Sequence, residues 1–235
     1  MCLGLLKAKL KTPNKMTSNF LRTDVTSVKL FKNYILAGVG SELNIFDRET
    51  FKLLLKLDTL KGQKIYGIIP SKCESNILIY GGKQLAVASF TEREDRQATC
   101  SAPVICDDWL HSGVWVNETD VAVLTAHNVV QIWDTQYWCL KSKYESKYNS
   151  ILYSGLLAVL NDDILVFSGT VYSEVIIQTV KLGPLHFLKG HNGVIFSITY
   201  DPVKEIIVST SDDRSVRIWK IQNDNNLDHK IHQKS

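Results

Sequence analysis

His191 and Asp213 are the residues whose types and spacing come nearest to catalytic chemistry. His191 follows Gly190, and Asp213 lies six residues before Trp219. A histidine beside a carboxylate suits acid–base catalysis. It also suits a buried hydrogen-bonded network, because a buried imidazole needs both nitrogens placed and an indole N–H can only donate. In a setting of turns and strands, where a structural network also explains the pair, we favour the structural interpretation.

Motifs of the common catalytic and metal-binding classes are absent from the sequence. It contains no glycine-rich phosphate loop, nucleophile elbow, His-Glu-x-x-His or Cys-x-x-Cys, and Gly38-Val-Gly40 is an isolated pair of glycines. His229 and His232 would bind a metal only in an ordered segment with further ligands. We therefore predict a protein that is not an enzyme and that uses no catalytic residue, metal, cofactor or small-molecule substrate.

Charge and cysteine usage indicate a reducing compartment and, at most, local contacts with nucleic acid. The formal net charge of +3 and the isoelectric point near 8.5 are too mild for a dominant nucleic-acid-binding surface. The 5 cysteines are odd in number and lack the paired spacings of zinc sites. No apolar run is long enough for a signal peptide or a membrane span. These features predict a cytosolic protein, with the nucleus as the lesser option and no membrane contact.

Five stretches of the chain share one alternating pattern. Each has aliphatic residues at its fourth and sixth positions, which marks a strand with one buried face. The stretches are residues 40–46, 82–88, 127–133, 172–178 and 213–219, and their fourth positions are Leu43, Leu85, Val130, Val175 and Val216. Each stretch ends 41 to 45 residues after the previous one, which is the length of a propeller blade. A second β-rich run precedes each stretch, so the sequence predicts an all-β propeller with five blades visible.

The segments around these stretches define the expected domain organisation. We predict a partial propeller over residues 23–221, with blades at about 25–57, 64–100, 109–140, 151–187 and 190–221. Residues 1–22 are predicted to form a flexible lysine-rich arm, and the polar interval within 91–108 is predicted to be a surface loop. Residues 222–235 have almost no apolar content and are predicted to be disordered. The fifth blade is therefore expected to lack its outer strand.

The fifth blade has a signature of its own. Gly190-His191 is followed by Asp213 and then by Trp219-Lys220, which resembles the WD-repeat family, with lysine where the aspartate of that name usually stands. In that family a histidine, a strand serine or threonine, a turn aspartate and a tryptophan form a buried hydrogen-bonded chain. The resemblance implies that its members in this sequence are His191, Ser209, Asp213 and Trp219.

The other four blades depart from this signature. The position six residues before the end of the stretch is Gly40, Gly82, His127 and Tyr172, and no Gly-His pair precedes these blades. We expect packing to hold them. His127 is predicted to be a turn residue rather than a ligand, since Asn128 beside it suits a hairpin turn.

Longer segments are similar to the N-terminal propeller of the WD-repeat subunit that partners a tRNA ribose 2'-O-methyltransferase. They are Ala126-His-Asn-Val-Val-Gln-Ile-Trp-Asp134, Gly193-Val-Ile-Phe-Ser-Ile-Thr-Tyr200 and Ser211-Asp-Asp-Arg-Ser-Val-Arg-Ile-Trp-Lys220. With shorter segments in matching order, the resemblance spans residues 25–221. It implies a large, multi-propeller, non-catalytic subunit that helps the methyltransferase act on the wobble nucleotide, position 34, of tRNA. The implied partners are the methyltransferase catalytic subunit and, weakly or indirectly, tRNA.

The number of visible blades differs from that of a closed ring. A WD propeller usually has about seven blades over about 300 residues. Because exposed strand edges invite pairing with other chains, we expect the present chain to be a short isoform, a partial gene model or a fragment of a seven-bladed ring.

Eight lysines are candidates for contact with tRNA phosphates, since lysine and arginine supply such contacts. They lie in the N-terminal arm (Lys7, Lys9, Lys11, Lys15) and around the first blade (Lys52, Lys56, Lys61, Lys64). A solvated charged surface is the simpler interpretation of both groups.

An alternative function is a general WD-repeat interaction scaffold, such as a ubiquitin-ligase substrate adaptor, because propellers mainly offer rigid interaction faces. Such adaptors often carry Trp-Asp-x-Arg. Here Trp133-Asp134 is followed by Thr135-Gln136, which lowers this alternative without excluding it.

Overall fold

The structure, a computed structural model, describes residues 24–90, 98–148, 150–160, 163–181, 183–220 and 232–234. The regular elements in these ranges are all β-strands. None of the described residues belongs to a helix with the length and apolar character needed to cross a membrane.

The strands assemble into five antiparallel sheets, each built from strands that are consecutive in the sequence. The first blade contains β1 (Val25–Phe31), β2 (Tyr34–Val39), β3 (Glu42–Asp47) and β4 (Leu53–Asp58). The second contains β5 (Gly67–Pro70), β6 (Asn76–Gly81), β7 (Gln84–Phe90) and β8 (Ala98–Cys100), with β9 (Val104–Ile105) also paired to β7.

The remaining three blades repeat this order. The third contains β10 (Leu110–Trp115), β11 (Asp120–Thr125), β12 (Val129–Asp134) and β13 (Cys139–Glu145). The fourth contains β14 (Leu152–Leu160), β15 (Asp163–Thr170), β16 (Val175–Thr179) and β17 (Gly183–Leu188). The fifth contains β18 (Ile195–Asp201), β19 (Ile206–Ser211), β20 (Val216–Lys220) and β21 (His232–Lys234).

The five aliphatic residues that defined the repeat occupy the same place in each blade. Each lies on the third strand and pairs with the second strand at one register position; the pairs are Leu43 with Gly38, Leu85 with Tyr80, Val130 with Leu124, Val175 with Gly169 and Val216 with Thr210. The predicted all-β propeller architecture is therefore confirmed.

Hydrophobic clusters fill the four spaces between successive blades. Leu43 and Ile45 of the first blade pack with Ile65, which precedes β5, and Val175 of the fourth blade packs with Trp219 of the fifth. Two further clusters join the second blade to the third and the third to the fourth. Burial of each such side chain contributes about 1.5–3 kcal/mol. Packing between sheets therefore holds the blades together.

Val216 and Ile218 are the exceptions to this burial. Their exposed fractions are 55% and 43%, whereas Leu43 and Val130, which occupy the place of Val216 in other blades, are at most 1% exposed. Alternation along β20 puts Val216 and Ile218 on the face opposite Trp219. Within the described ranges no further sheet covers that face, which accounts for the exposure.

The first strands of neighbouring blades contact one another and are therefore the innermost strands. Strands β1, β10, β14 and β18 each contain a register shift after their first residue, so that one extra residue bulges from the ladder. Such a bulge redirects a side chain. In every blade the turn between the second and third strands contains one residue with positive φ: Gly40, Gly82, Asn128, Ser173 or Arg214.

The C-terminal segment of the chain differs from the prediction. The prediction that the fifth blade lacks its outer strand is wrong, because His232–Lys234 pairs antiparallel with β20. Backbone pairing at an open strand edge does not require apolar side chains, so a polar segment can supply the strand. The arm at residues 1–22 and most of the tail at 222–235 lie outside the described residues.

The other differences from the expected organisation lie within blades. In the third blade the outer strand extends to Glu145, five residues beyond the predicted end. The predicted loop over 91–108 contains the short strands β8 and β9, and its residues 91–97 lie outside the described ranges.

Candidate functional site

The structure brings the four predicted network residues of the fifth blade together. His191 Nδ1 lies 2.9 Å from Asp213 Oδ2, and His191 Nε2 lies 2.8 Å from Ser209 Oγ. The indole Nε1–H of Trp219 donates to Ser209 Oγ at 2.9 Å. With a neutral imidazole, Nδ1–H donates to the carboxylate and Ser209 donates to Nε2. Each donor in this chain then has an acceptor.

Ser215 is a fifth member of this network that the sequence reasoning missed. Its hydroxyl donates to Asp213 Oδ1 at 2.6 Å, and its main-chain N–H donates to the same oxygen at 2.8 Å. The main-chain N–H of Asn192 donates to the other carboxylate oxygen at 2.9 Å. The hydroxyl of Ser215, together with these N–H groups and His191, lowers the pKa of Asp213 far below its usual value. Asp213 is therefore ionised at neutral pH.

Burial shows what this network can do. The side chain of His191 and the residue Ser209 both have an exposed fraction of 0%. The imidazole is thus closed to a substrate and has both nitrogens occupied. The hydrogen bonds of the network join the turn before β20 to the loop before β18, so the network has a structural role.

The third blade contains a second histidine–aspartate pair, of a different kind. His127 Nδ1 lies 2.8 Å from Asp108 Oδ2, and the main-chain N–H of His127 donates to the same oxygen at 3.0 Å. Partial burial opposes ionisation of Asp108, but hydrogen bonds from His127 and from the main-chain N–H of Trp109 lower its pKa below the usual value. His127 lies in the turn before β12, as predicted, and its side chain is 66% exposed.

Asn128, next to His127, is at the centre of a buried polar cluster between the third and fourth blades. Its residue exposure is 0% and its φ is 60°. Asn128 Oδ1 accepts from Ser168 Oγ at 2.7 Å and from Gln178 Nε2 at 3.3 Å, and Asn128 Nδ2 donates to Ser150 Oγ at 3.3 Å. The sequence indicated the turn at Asn128. It gave no signal for these partners, because they lie on another blade.

The predicted lysine contacts fall into two groups. Lys52, Lys56, Lys61 and Lys64 are all exposed. Lys56 Nζ lies 3.8 Å from a carboxylate oxygen of Glu42, and Lys64 Nζ lies 3.8 Å from one of Asp24. Lys61 and Lys64 belong to the loop between β4 and β5, at the start of the innermost strand. The lysines of the arm, Lys7, Lys9, Lys11 and Lys15, lie outside the described residues.

A cavity of about 690 Å³ opens where the innermost strands begin. Five rings from four blades line it: Tyr66, Trp109, His111, Tyr153 and Phe196. We call this feature the aromatic cavity. Tyr66, Trp109, Tyr153 and Phe196 are each about half exposed, and the rings of Tyr153 and Phe196 have centroids 5.3 Å apart. An exposed cluster of aromatic side chains is a surface suited to binding.

The bulge of the innermost strands explains why these rings converge. His111, Tyr153 and Phe196 are the extra residues at the register shifts of β10, β14 and β18. Tyr66 has the same place in the second blade, because it follows an aliphatic residue, Ile65, at the start of the innermost strand. The corresponding aliphatic residues of the other three blades are Leu110, Leu152 and Ile195. The main-chain N–H of Tyr66 donates to Tyr80 O at 2.9 Å. The same structural position therefore presents a ring in four successive blades.

His111 adds a neutral polar group to the aromatic cavity. Burial lowers the pKa of His111 below its usual value, although a hydrogen bond with the main chain of Leu152 and the charge of Asp108 oppose this effect. The imidazole is therefore uncharged at neutral pH. The other polar side-chain groups of the lining are the hydroxyls of Tyr66, Tyr153, Ser154 and Ser197 and the indole N–H of Trp109.

These features define a WD-repeat β-propeller protein. The family model described as "WD domain, G-beta repeat" matches residues 182–220, which contain the buried network. A solved structure, the Cps50 (Swd1) beta-propeller domain of Myceliophteria thermophila, aligns with a TM-score of 0.69 at 15% sequence identity. The alignment covers 93% of this chain and 73% of that chain, and it supports the fold.

The curated relatives of the chain include proteins named as regulators of a tRNA methyltransferase. The chain is 33% identical over 232 residues to the tRNA (34-2'-O)-methyltransferase regulator WDR6 of Drosophila melanogaster, and 25% identical over 229 residues to that of Rattus norvegicus. These alignments cover 86% and 88% of this chain. They cover 23% and 20% of the relatives, so the chain spans about a fifth of their length. The resemblance to these WD-repeat regulators is confirmed.

Proposed function

We propose that this chain is a non-catalytic WD-repeat subunit that supports 2'-O-ribose methylation of the wobble nucleotide, position 34, of tRNA. In this role it binds the methyltransferase and helps to position the tRNA. The observation that carries the proposal is the similarity to proteins named as regulators of that methyltransferase, which extends over 86–88% of the chain.

The chemistry of the described residues supports a binding role. In each of the two buried polar clusters, around His191 and around Asn128, the side chains form hydrogen bonds with other members of the same cluster. Within the described ranges there is also no group of three or more histidine, cysteine, aspartate or glutamate side chains placed to hold a metal ion. What the blades offer to other molecules is a rigid surface, and propellers commonly act through such surfaces.

Co-purification with the methyltransferase tests the proposal. The tagged cognate methyltransferase is expressed with this chain, and an unrelated methyltransferase of the same organism with the same tag serves as the control bait. We expect the cognate bait to retain the chain after a salt wash and the control bait to release it. Equal retention by both baits, or none by either, would overturn the proposal. Co-purification with a ubiquitin-ligase core instead would support the scaffold alternative.

A further inference from the structure

We propose that the aromatic cavity binds unpaired nucleobases of an RNA loop. The inference deepens the proposed function, on which it rests, by assigning the tRNA contact to a particular surface of this chain. The rings of Tyr66, Trp109, Tyr153 and Phe196 meet there in one cavity of about 690 Å³. That volume lies in the range of ligand-binding pockets.

The exposure of the rings is the first reason for this assignment. Tyr66, Trp109, Tyr153 and Phe196 are 47–54% exposed, although aromatic side chains gain most when they are buried. Proteins that bind single-stranded RNA present exposed aromatic side chains on which unstacked bases stack, because every base has a flat π face. Rings supplied by successive blades would accept one or more bases in this way.

The second reason is that the lining is uncharged, which suits a neutral planar ligand. None of the residues that line the aromatic cavity carries a carboxylate or an ammonium group, and the ring of His111 is neutral at pH 7. The lining therefore offers a cationic peptide no carboxylate for an ion pair. A neutral planar base needs stacking faces and a few polar atoms for its edge. The imidazole of His111 and the exposed hydroxyl group of Ser197 provide such atoms.

Two lysines lie close in the sequence to rings of the aromatic cavity. Lys64 precedes Tyr66 by two residues and has a half-exposed side chain. The ammonium group of Lys83 donates to the main-chain oxygen of Asp107 at 2.9 Å, two residues before Trp109. Phosphate contacts by lysine position an RNA without specifying its sequence. In this proposal these lysines contact phosphates, and the uncharged lining contacts the bases.

Titration of the full chain with RNA tests the inference. The probe is a fluorescein-labelled RNA hairpin with an unpaired loop, and a fully paired RNA duplex of equal length is the reference. The principal variant is Tyr153→Ala with Phe196→Ala. The conservative variants Tyr153→Phe and Phe196→Tyr keep both rings, and Tyr137→Ala removes an aromatic side chain that is 80% exposed and outside the aromatic cavity.

We expect the chain to bind the hairpin more tightly than the duplex. The double alanine variant should weaken hairpin binding by about tenfold or more, because stacking of one base on an aromatic side chain supports a change of that size. The conservative variants and Tyr137→Ala should stay within about twofold of the wild type, since they keep every stacking face of the cavity. If the double variant does not fold, Tyr66→Ala on the second blade gives the same test.

Several outcomes would overturn the inference. They are the absence of hairpin binding by the wild type, equal affinity for hairpin and duplex, and an unchanged affinity in the alanine variants. Loss of methyltransferase retention by those variants, with RNA binding intact, would make the aromatic cavity a protein-docking surface instead. Failure of the wild type to co-purify with the methyltransferase overturns the proposed function separately, because the RNA titration uses the chain alone.

Discussion

The third and fifth blades each contain a histidine–aspartate pair, but the two residues have exchanged places. In each, a histidine–aspartate pair joins the loop before the innermost strand to the turn between the second and third strands. The fifth blade places His191 in the loop and Asp213 in the turn, whereas the third places Asp108 in the loop and His127 in the turn. Both pairs have similar distances, 2.9 and 2.8 Å, so the distance alone does not explain how differently the two pairs are buried.

A position on the second strand also differs between the two blades. Ser209 of the fifth blade corresponds in register to Val123 of the third. Ser209 links the imidazole to the indole of Trp219, whereas Val123 has no hydroxyl, and Trp133 donates instead to Gln131 Oε1 at 3.2 Å. The hydroxyl group at this position therefore extends the pair of the fifth blade into a buried network that includes Trp219.

Replacing Ser209 by valine should have the largest effect, because it gives the fifth blade the residue type of the third. His191 Nε2 and Trp219 Nε1 would both lose their partner inside the protein. Each unpartnered buried group costs about 1–3 kcal/mol, so we expect a loss of about 4 kcal/mol in the free energy of unfolding. Denaturant unfolding measures this loss.

Ser209→Thr is the matched control for that change, since threonine has nearly the volume of valine and keeps the hydroxyl group. It should retain most of the stability. A loss of under about 1 kcal/mol in Ser209→Val, or equal losses in the two variants, would contradict the role assigned to the network.

Asn128 provides the next largest effect, because its buried hydrogen bonds join the third blade to the fourth. Asn128→Gly removes the hydrogen bonds to Ser168 and Gln178 but tolerates the positive φ, and should cost about 2 kcal/mol. Asn128→Ala adds the strain of a left-handed backbone and should cost about 1 kcal/mol more. Thermal and denaturant unfolding of the two variants separate these contributions. Equal stabilities would show that the backbone conformation carries no cost here.

The dependence of stability on pH distinguishes the two aspartates. An unfolded aspartate has a pKa of about 3.9, whereas the fold lowers the pKa of Asp213 far below this value. The unfolded chain therefore binds a proton first as the pH falls. The stability that Asp213 contributes is complete above about pH 5 and is lost progressively below it, towards the folded-state pKa.

Asp213→Asn should consequently flatten the fall in stability on the acid side of neutrality. Asp108→Asn is the control, and it should flatten the fall less, because its partner His127 is 66% exposed. Unfolding curves recorded between neutral and acidic pH measure both slopes. If stability fell more steeply with decreasing pH in Asp213→Asn than in the wild type, the lowered pKa of Asp213 would be contradicted.

The smallest effect is expected for His127→Ala. Exposed ion pairs contribute little, so the free energy of unfolding should fall by about 0.5 kcal/mol. A loss comparable to that of Ser209→Val would remove the distinction between the surface pair and the buried network.

The sequence predicted the parts of this molecule that depend on local pattern. Alternation at Leu43, Leu85 and Val130 identified one strand of each blade, because the buried face of a strand repeats every second residue; the structure shows that this is the third strand. The resemblance of the fifth blade to a WD repeat implied the network that contains His191 and Trp219. The segment at His232–Lys234 was missed, since its strand depends on pairing with an open edge and not on side-chain pattern.

The aromatic cavity and the Asn128 cluster depend on contacts between blades, which no local pattern reveals. A signal for the cavity does exist in the repeat. Ile65-Tyr66-Gly67, Leu152-Tyr153-Ser154 and Ile195-Phe196-Ser197 share an aliphatic residue, an aromatic residue and a small residue at the start of a blade. Alignment of the innermost strands, in addition to the third strands, would have found it.

The rate of 2'-O-methylation at position 34 of tRNA, measured with the purified methyltransferase in the presence and absence of this chain, tests the proposed function most directly. The account predicts that the chain alone transfers no methyl group and that it raises the rate of the methyltransferase. A rate that stays unchanged at saturating chain, or methylation by the chain alone, would contradict it.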